Sequence, residues 1–333
     1  MASKRCKLER LVLFAPIEQL EERYSVQWYK WFMKAFEDIG ATVQVFGDTE
    51  PRVIKQGQFL DIYDTNIYKA KQVADLLKAI EQIKHDNFTV FCMDAWFTGL
   101  EALAYVRSCT HRKFKIKGMV HAGTWDKWDF LHQKNCQTWA KDYERSLFKI
   151  FDEVFCATQS HKDMIESYFE EKFDNITLVD FPVINPNINH DKENIVVFPH
   201  RLALEKQPDQ FDILEAMFNF KYPEMDVRFI KSKNVCHTKD QYYNLLKRSK
   251  VAVSCALQET FGIAMLEAFH LGCFPVVPDR LSYRETFEPL FRYKDLDEAV
   301  NVIHLGLTKP SWRKFDYKYG EDIKWADLII GGK

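Results

Sequence analysis

The 333-residue sequence contains no apolar run of membrane-spanning length; the longest, such as Ile195–Pro199 and Val251–Val253, would fill single strands. No membrane partner is therefore expected. The N-terminus, Met1-Ala-Ser-Lys-Arg-Cys6, runs directly into charge and lacks the apolar stretch of a secretory signal. There is no Cys-x-x-Cys pair either. The eight cysteines (6, 92, 109, 136, 156, 236, 255 and 273) sit mostly in strand-like runs such as Val90-Phe-Cys92. That is the pattern of buried, reduced thiols, and it argues for the cytoplasm and against a disulfide scaffold or a zinc site. No charge excess is present: 46 basic and 48 acidic residues leave a net −2, and each half of the chain is close to balance. A general polyanion binder is thereby excluded. No internal repeat or low-complexity tract appears.

What the chain does have is a steady alternation of short β-type runs with amphipathic helical stretches, the signature of parallel α/β sheets. Strands are expected at 10–15, 42–46, 59–63, 88–92, 116–120, 154–157 and 176–179. Helices are expected between them at 17–39, 65–84, 99–106, 138–151 and 160–169. The stretch Pro182-Val-Ile-Asn-Pro-Asn-Ile-Asn-His-Asp191 has two prolines and no periodicity, and reads as a linker. A second α/β series then begins at Ile195. The expected architecture is two open, Rossmann-like domains facing across a cleft. Residues 1–185 form the first and 186–310 the second, and 311–333 return as a helix to the first domain through Trp325. Ligands belong in the cleft, at the carboxyl ends of both sheets.

The most informative stretch is Val251-Ala-Val-Ser-Cys-Ala-Leu-Gln-Glu-Thr-Phe-Gly-Ile-Ala-Met-Leu-Glu-Ala-Phe-His-Leu-Gly-Cys-Phe-Pro-Val-Val-Pro278. A buried strand ends near Cys255, a short loop carries Glu259, and a helix starts near Gly262 and stops at Gly272 as a left-handed C′ residue. The amides of Thr260, Phe261, Gly262 and Ile263 would then surround a helix N-terminus, where free N–H groups and the macrodipole favour a phosphate. Glu267, between one and two turns along, addresses another part of the same ligand. Upstream, Val196-Val-Phe-Pro-His-Arg-Leu-Ala-Leu-Glu-Lys206 places Arg201 and Lys206 after a strand. Two fixed cations suit a reaction whose leaving group is a nucleoside diphosphate.

Together these elements resemble glycosyltransferase family 4 and its relatives, which have the GT-B fold. The resemblance implies a retaining transfer from a nucleotide sugar, with UDP favoured and no metal or other cofactor. In that family the first Glu of the Glu-x7-Glu pattern contacts donor-sugar hydroxyls and the second holds the ribose; here these are Glu259 and Glu267. Arg201 and Lys206 match the family's Arg-x4-Lys segment. The only Asp-x-Asp, Asp295-Leu-Asp297, precedes a helical stretch and reads as its N-cap rather than a metal site.

Polar residues just past the expected strand ends are the acceptor-side candidates: Glu18, Arg23, Asp64, Thr65, Asn66, Asp94, Trp96, His121, Trp125 and Asp126. His121 stands where family members carry a His near the donor sugar. Asp94 and Asp126 are candidates to orient or deprotonate an acceptor hydroxyl. Trp96, Trp125 and Trp128 form either a stacking wall or core. Residues 102–125 hold no acid but contain Arg107, Arg112, Lys113, Lys115 and Lys117, either a solvated edge or a phosphate-tracking patch.

The runs Phe14–Trp28, Phe59–Lys69 and His121–Phe130 resemble phage-encoded glycosyltransferases associated with sugar addition to hydroxymethylated pyrimidines in DNA. Pro199-His-Arg201 and Phe261–Ala268 are similar to enzymes that mannosylate queuosine in tRNA. Both imply a nucleic-acid acceptor; the hydroxymethyl group of a modified pyrimidine in phage DNA is the expected one, which would place the protein in a host cytoplasm. A queuosine-like nucleoside in tRNA, a saccharide acceptor, or a non-catalytic module that only binds nucleic acid are the alternative readings.

Overall fold

The computed structural model describes residues 11–20, 23–50, 61–184, 191–309 and 324–331. Six parallel strands build the first sheet: β1 (Leu11–Ala15), β2 (Thr42–Val45), β3 (Phe88–Cys92), β4 (Lys115–Met119), β5 (Glu153–Cys156) and β6 (Ile176–Leu178). Their order is β2-β1-β3-β4-β5-β6, with Val12 opposite Val43 on one side and Thr89 on the other. Five more form the second: β7 (Glu193–Phe198), β8 (Arg228–Lys231), β9 (Ser249–Val253), β10 (Phe274–Pro278) and β11 (Arg292–Tyr293). Here the order is β11-β10-β9-β7-β8, and all pairs are again parallel. The central strands are buried on both faces, so they read as continuous apolar runs without alternation.

The rings of Phe14, Phe32, Phe36 and Phe91 pack together between the first sheet and helix Tyr24–Asp38, with centroids 5.3–6.5 Å apart. This core continues into the second domain through Phe181, whose ring lies 5.7 Å from Phe261. The last helix, Trp325–Ile330, returns to the first domain. Trp325 seats between Phe32 and Phe155 at 5.4 and 5.2 Å, and Lys117 donates to the Leu328 carbonyl at 2.6 Å. The anchor expected at Trp325 is thus in place; residues 311–323 and 332–333 of that expected helix lie outside the described residues, as do 185–190 of the linker.

Two sequence expectations are overturned. The strand expected at 59–63 is not one in its described part: Asp61 caps a helix Ile62–Gln82 by accepting from the Tyr63 and Asp64 amides, while residues 59 and 60 lie outside the described residues. Asp64, Thr65 and Asn66 therefore occupy a first helical turn. The helix expected from Ile17 begins at Tyr24, because Pro16–Leu20 run irregularly out of β1, and Arg23 is extended. Asp295 does cap helix Leu296–Thr308, accepting from the Glu298 amide at 2.8 Å.

Candidate active site

Strand order reverses once in each sheet, between β1 and β3 in the first and between β9 and β7 in the second. Loops leaving two such neighbours diverge and open a crevice for a ligand. In the second sheet those loops carry His200–Lys206 and Ala256–Gly262, which explains how residues about fifty positions apart meet.

Lys206 closes a 3-10 turn, Leu204–Lys206, fixed by left-handed Gln207 and by Pro208 at the start of helix Pro208–Lys221. Its buried ammonium donates to the Gln258 carbonyl and lies 3.3 Å from Glu259 Oε2. Glu259 Oε1 accepts the Gly262 N–H at 2.9 Å. Gly262 has φ +93°, and a Cβ there would sit 3.0 Å from the Tyr283 ring, so glycine is required for both conformation and space. Burial opposes the ionised form of Glu259, but Lys206 and the Gly262 amide outweigh it and hold the carboxyl below its ordinary range. His200 is buried beside this pair; burial pushes its pKa down to about 3, so it is neutral and contributes no charge.

Helix Ile263–His270 starts at Gly262, and its first N–H groups have no intrahelical partner. The Thr260 carbonyl is held by the Thr158 hydroxyl at 2.8 Å, and the Phe261 side chain is packed in the core, so the loop is fixed from both domains. Glu267 is buried and accepts from Lys239 at 3.1 Å and from the Tyr243 hydroxyl at 2.8 Å. Gln27 of the first domain bonds Tyr243 in turn. Lys239 and Tyr243 carry no motif and were not signalled by the sequence. Arg201 does not join Lys206: it is half-exposed and paired with Glu205, Nε to Oε1 at 2.8 Å, at the rim.

On the first domain, Asp94 accepts from Lys69 at 2.9 Å and from the Trp96 amide at 3.0 Å. His121 lies among the rings of Tyr24, Trp28 and Phe181. Its Nε2 faces the Met93 carbonyl at 2.7 Å and so carries the proton. Burial lowers the His121 pKa against the opposing charge of Asp94. Burial also lowers the pKa of Arg23, and the nearby charge of Arg201 adds to this across the interdomain gap. These groups form one cluster on the first-domain side of the gap. Asn66 is exposed nearby, 3.4 Å from the Thr98 hydroxyl, and Thr65 donates to Glu18 at 2.8 Å.

Other candidates are placed differently. Trp125 is core, packed on Phe148 and Phe169 and donating to His161 at 3.1 Å, because its chain turns inward at Gly123. It cannot act as a stacking wall. Trp96 spends its indole N–H on Glu144 at 2.9 Å and packs against Trp139 and Tyr143. Asp126 faces the second domain, near Lys206 and Gln258, rather than Asp94. The basic cluster tracks no phosphate. It lies at the amino end of β4, away from the crevice, and acids from elsewhere meet it: Arg107 and Lys115 pair with Asp152, Arg112 with Asp86, and Lys117 with Glu153.

Among the described residues, no group of three or more His, Cys, Asp or Glu is arranged to hold a metal, and no helix is long and apolar enough to cross a membrane. No protein-family model matches the sequence. An alpha,alpha-trehalose-phosphate synthase (UDP-forming) from Burkholderia vietnamiensis superposes with a TM-score of 0.63 over 98% of this chain and 95% of its own, at 11% identity. Sucrose-phosphate synthase from Thermosynechococcus elongatus gives 0.60 over 97% and 95%, at 12% identity. The fold is GT-B. Among characterised sequences, a tRNA-queuosine alpha-mannosyltransferase from Drosophila melanogaster is 29% identical over 113 residues, 28% of this chain and 30% of that enzyme. The two nucleic-acid resemblances thus divide: the comparisons include a queuosine enzyme, and the likeness to phage DNA-modifying enzymes rests on the sequence runs alone.

Proposed function

We propose that this GT-B protein is a retaining glycosyltransferase that moves a sugar from a nucleoside diphosphate donor, with UDP favoured, to a hydroxyl on a modified nucleoside in nucleic acid. The observation that carries the reading is the buried Lys206–Glu259 pair joined to the Gly262 amide at the start of helix Ile263–His270. The helix N-terminus and Lys206 would receive the diphosphate, and Arg201 would exchange Glu205 for it at the rim. As the anomeric bond breaks, charge builds on the leaving diphosphate, where these groups are already aimed. Glu259 would hold sugar hydroxyls and Glu267 the ribose, the roles that the family resemblance implies. Retention and independence of a metal are likewise carried by the resemblance.

His121 and Asp94 would border the sugar and the acceptor hydroxyl. Two acceptors follow from the sequence: a hydroxymethylated pyrimidine in DNA and a queuosine-like nucleoside in tRNA. The partial match to a tRNA-queuosine enzyme favours the second. The test incubates purified protein with a panel of nucleotide sugars and, separately, hydroxymethylcytosine DNA, hydroxymethyluracil DNA and queuosine-containing tRNA. Digested nucleosides are then weighed. A mass gain of one sugar on one nucleoside is expected. Donor hydrolysis without any nucleoside adduct would remove the nucleic-acid acceptor, and neither hydrolysis nor transfer would remove the enzyme reading.

A further inference from the structure

Helix Lys239–Arg248 opens at Thr238, whose hydroxyl accepts the Gln241 amide at 3.2 Å. Lys239 and Tyr243 lie four positions apart and so share one face of it. The Lys239 ammonium sits over the Tyr243 ring, 4.9 Å from its centroid. Both side chains end on the same atom: Glu267 Oε1 accepts Lys239 at 3.1 Å and the Tyr243 hydroxyl at 2.8 Å. Glu267 is buried, and a carboxylate held from two directions at one oxygen has a set plane, which also sets the direction of its second oxygen.

Burial and the charge of Glu267 raise the Tyr243 pKa, so the phenol keeps its proton at neutral pH. A carboxylate only accepts, so that one proton is donated to Glu267, and the phenol oxygen is left to accept. What it accepts comes from the other domain: Gln27, on helix Tyr24–Asp38, donates its amide N–H to the Tyr243 oxygen. The direction of every bond is thereby settled, from Gln27 to Tyr243 to Glu267. A donor placed on the phenol oxygen polarises the O–H beyond it, so Gln27 strengthens the hold of Tyr243 on the carboxylate.

Gln27 and Trp28 stand three and four positions after Tyr24, on the same face of the first-domain helix. Tyr24 and Trp28 flank His121 with ring centroids at 5.9 and 5.3 Å, and the Trp28 indole N–H donates to the Pro182 carbonyl at 2.9 Å. One helical turn therefore touches His121 in its own domain and, through Tyr243, a buried carboxylate in the other.

We propose that Tyr243 and Gln27 are positioning residues that aim Glu267 at the donor ribose. This rests on the functional reading given above, in which Glu267 holds that ribose. Both act through the carboxylate. Because Gln27 belongs to the first domain, the ribose seat in the second is complete only when the two are docked.

The test is calorimetry on the full chain at pH 7.5, comparing UDP and GDP with their 2′,3′-dideoxy forms, which lack both ribose hydroxyls. Whichever nucleotide the wild type accepts should bind about 30-fold more tightly in its ribose form. Tyr243→Phe keeps the ring beside Lys239 but removes both bonds, and should cut that preference to about threefold. Gln27→Met removes only the interdomain donor, and should cut it to about tenfold. Circular dichroism checks that each variant is folded. A variant that merely loosens the protein weakens both forms alike and leaves their ratio untouched. A wild-type ratio in either Tyr243→Phe or Gln27→Met overturns the proposal. If the wild type binds neither nucleotide, or binds both forms alike, the functional reading fails and the proposal with it.

Discussion

Replacing Asp129 by Asn should stabilise the protein at neutral pH and leave it unchanged in acid. The carboxyl is 8% exposed and its pKa is about 6, against an ordinary 3.8, so its ionised form is disfavoured in the fold. With a raised folded pKa, the group's contribution is complete below the unfolded pKa and is lost as pH rises through about 6. Above that, both states are ionised, and the folded one carries a penalty of about 3 kcal/mol from a gap of about two pKa units. Asn keeps the cap on the Leu131 amide, since Asn and Asp are equally good at that position. Guanidinium unfolding followed by tryptophan fluorescence at pH 7.5 and 4.5 measures the difference between variant and wild type. A gain of about 1–3 kcal/mol at pH 7.5 that shrinks to less than half at pH 4.5, on its way to zero below the unfolded value of 3.8, is expected. Equal destabilisation at both pH values would refute the reasoning, because the side chain would then be acting through packing and not through its charge.

Lys206→Met should lower kcat by about 30- to 1,000-fold, the equivalent of 2–4 kcal/mol of charge stabilisation, with the fold retained by circular dichroism. Gly262→Ala should weaken nucleotide-sugar binding and cost about 1–2 kcal/mol in unfolding experiments, because φ +93° and the Tyr283 ring both oppose a Cβ. Glu285→Ala removes the carboxylate that accepts the Gln159 and Ser160 amides at 2.7 Å each, from the opposite domain. Amide exchange at residues 159 and 160 should then accelerate by about fivefold or more, and unchanged exchange would show that this contact does not hold the domains together.

The second domain was legible in sequence because its chemistry is local. Gly262 and Gly272 each mark a backbone that must turn left, at φ +93° and +79°, and both bound the helix that the sequence places between them. The Lys206–Glu259 pair spans 53 positions and was reached only through a family likeness, since nothing local links them. Lys239 and Tyr243, which hold Glu267, were missed altogether, because each is an ordinary residue of helix Lys239–Arg248 and no local spacing ties it to position 267. The strand expected at 59–63 failed because Phe-Leu-Asp-Ile-Tyr is a short run of apolar and aromatic residues that suits a strand in composition, while Asp61 followed by Asp64 was the capping signal that prevailed. For the basic run at 107–117, charge density in sequence gave no hint that Asp86, Asp152 and Glu153 come from other segments to meet it.

The return of helix Trp325–Ile330 to the first domain means that the polypeptide passes between the two halves twice. A body attached by one tether can swivel about any axis, whereas a second attachment, through the docked helix Trp325–Ile330, removes part of that freedom. The same arrangement resists dissection: a fragment ending at residue 184 would leave the rings of Phe32, Phe155 and Phe181 without the indole that covers them, so the halves of this molecule are not interchangeable cassettes.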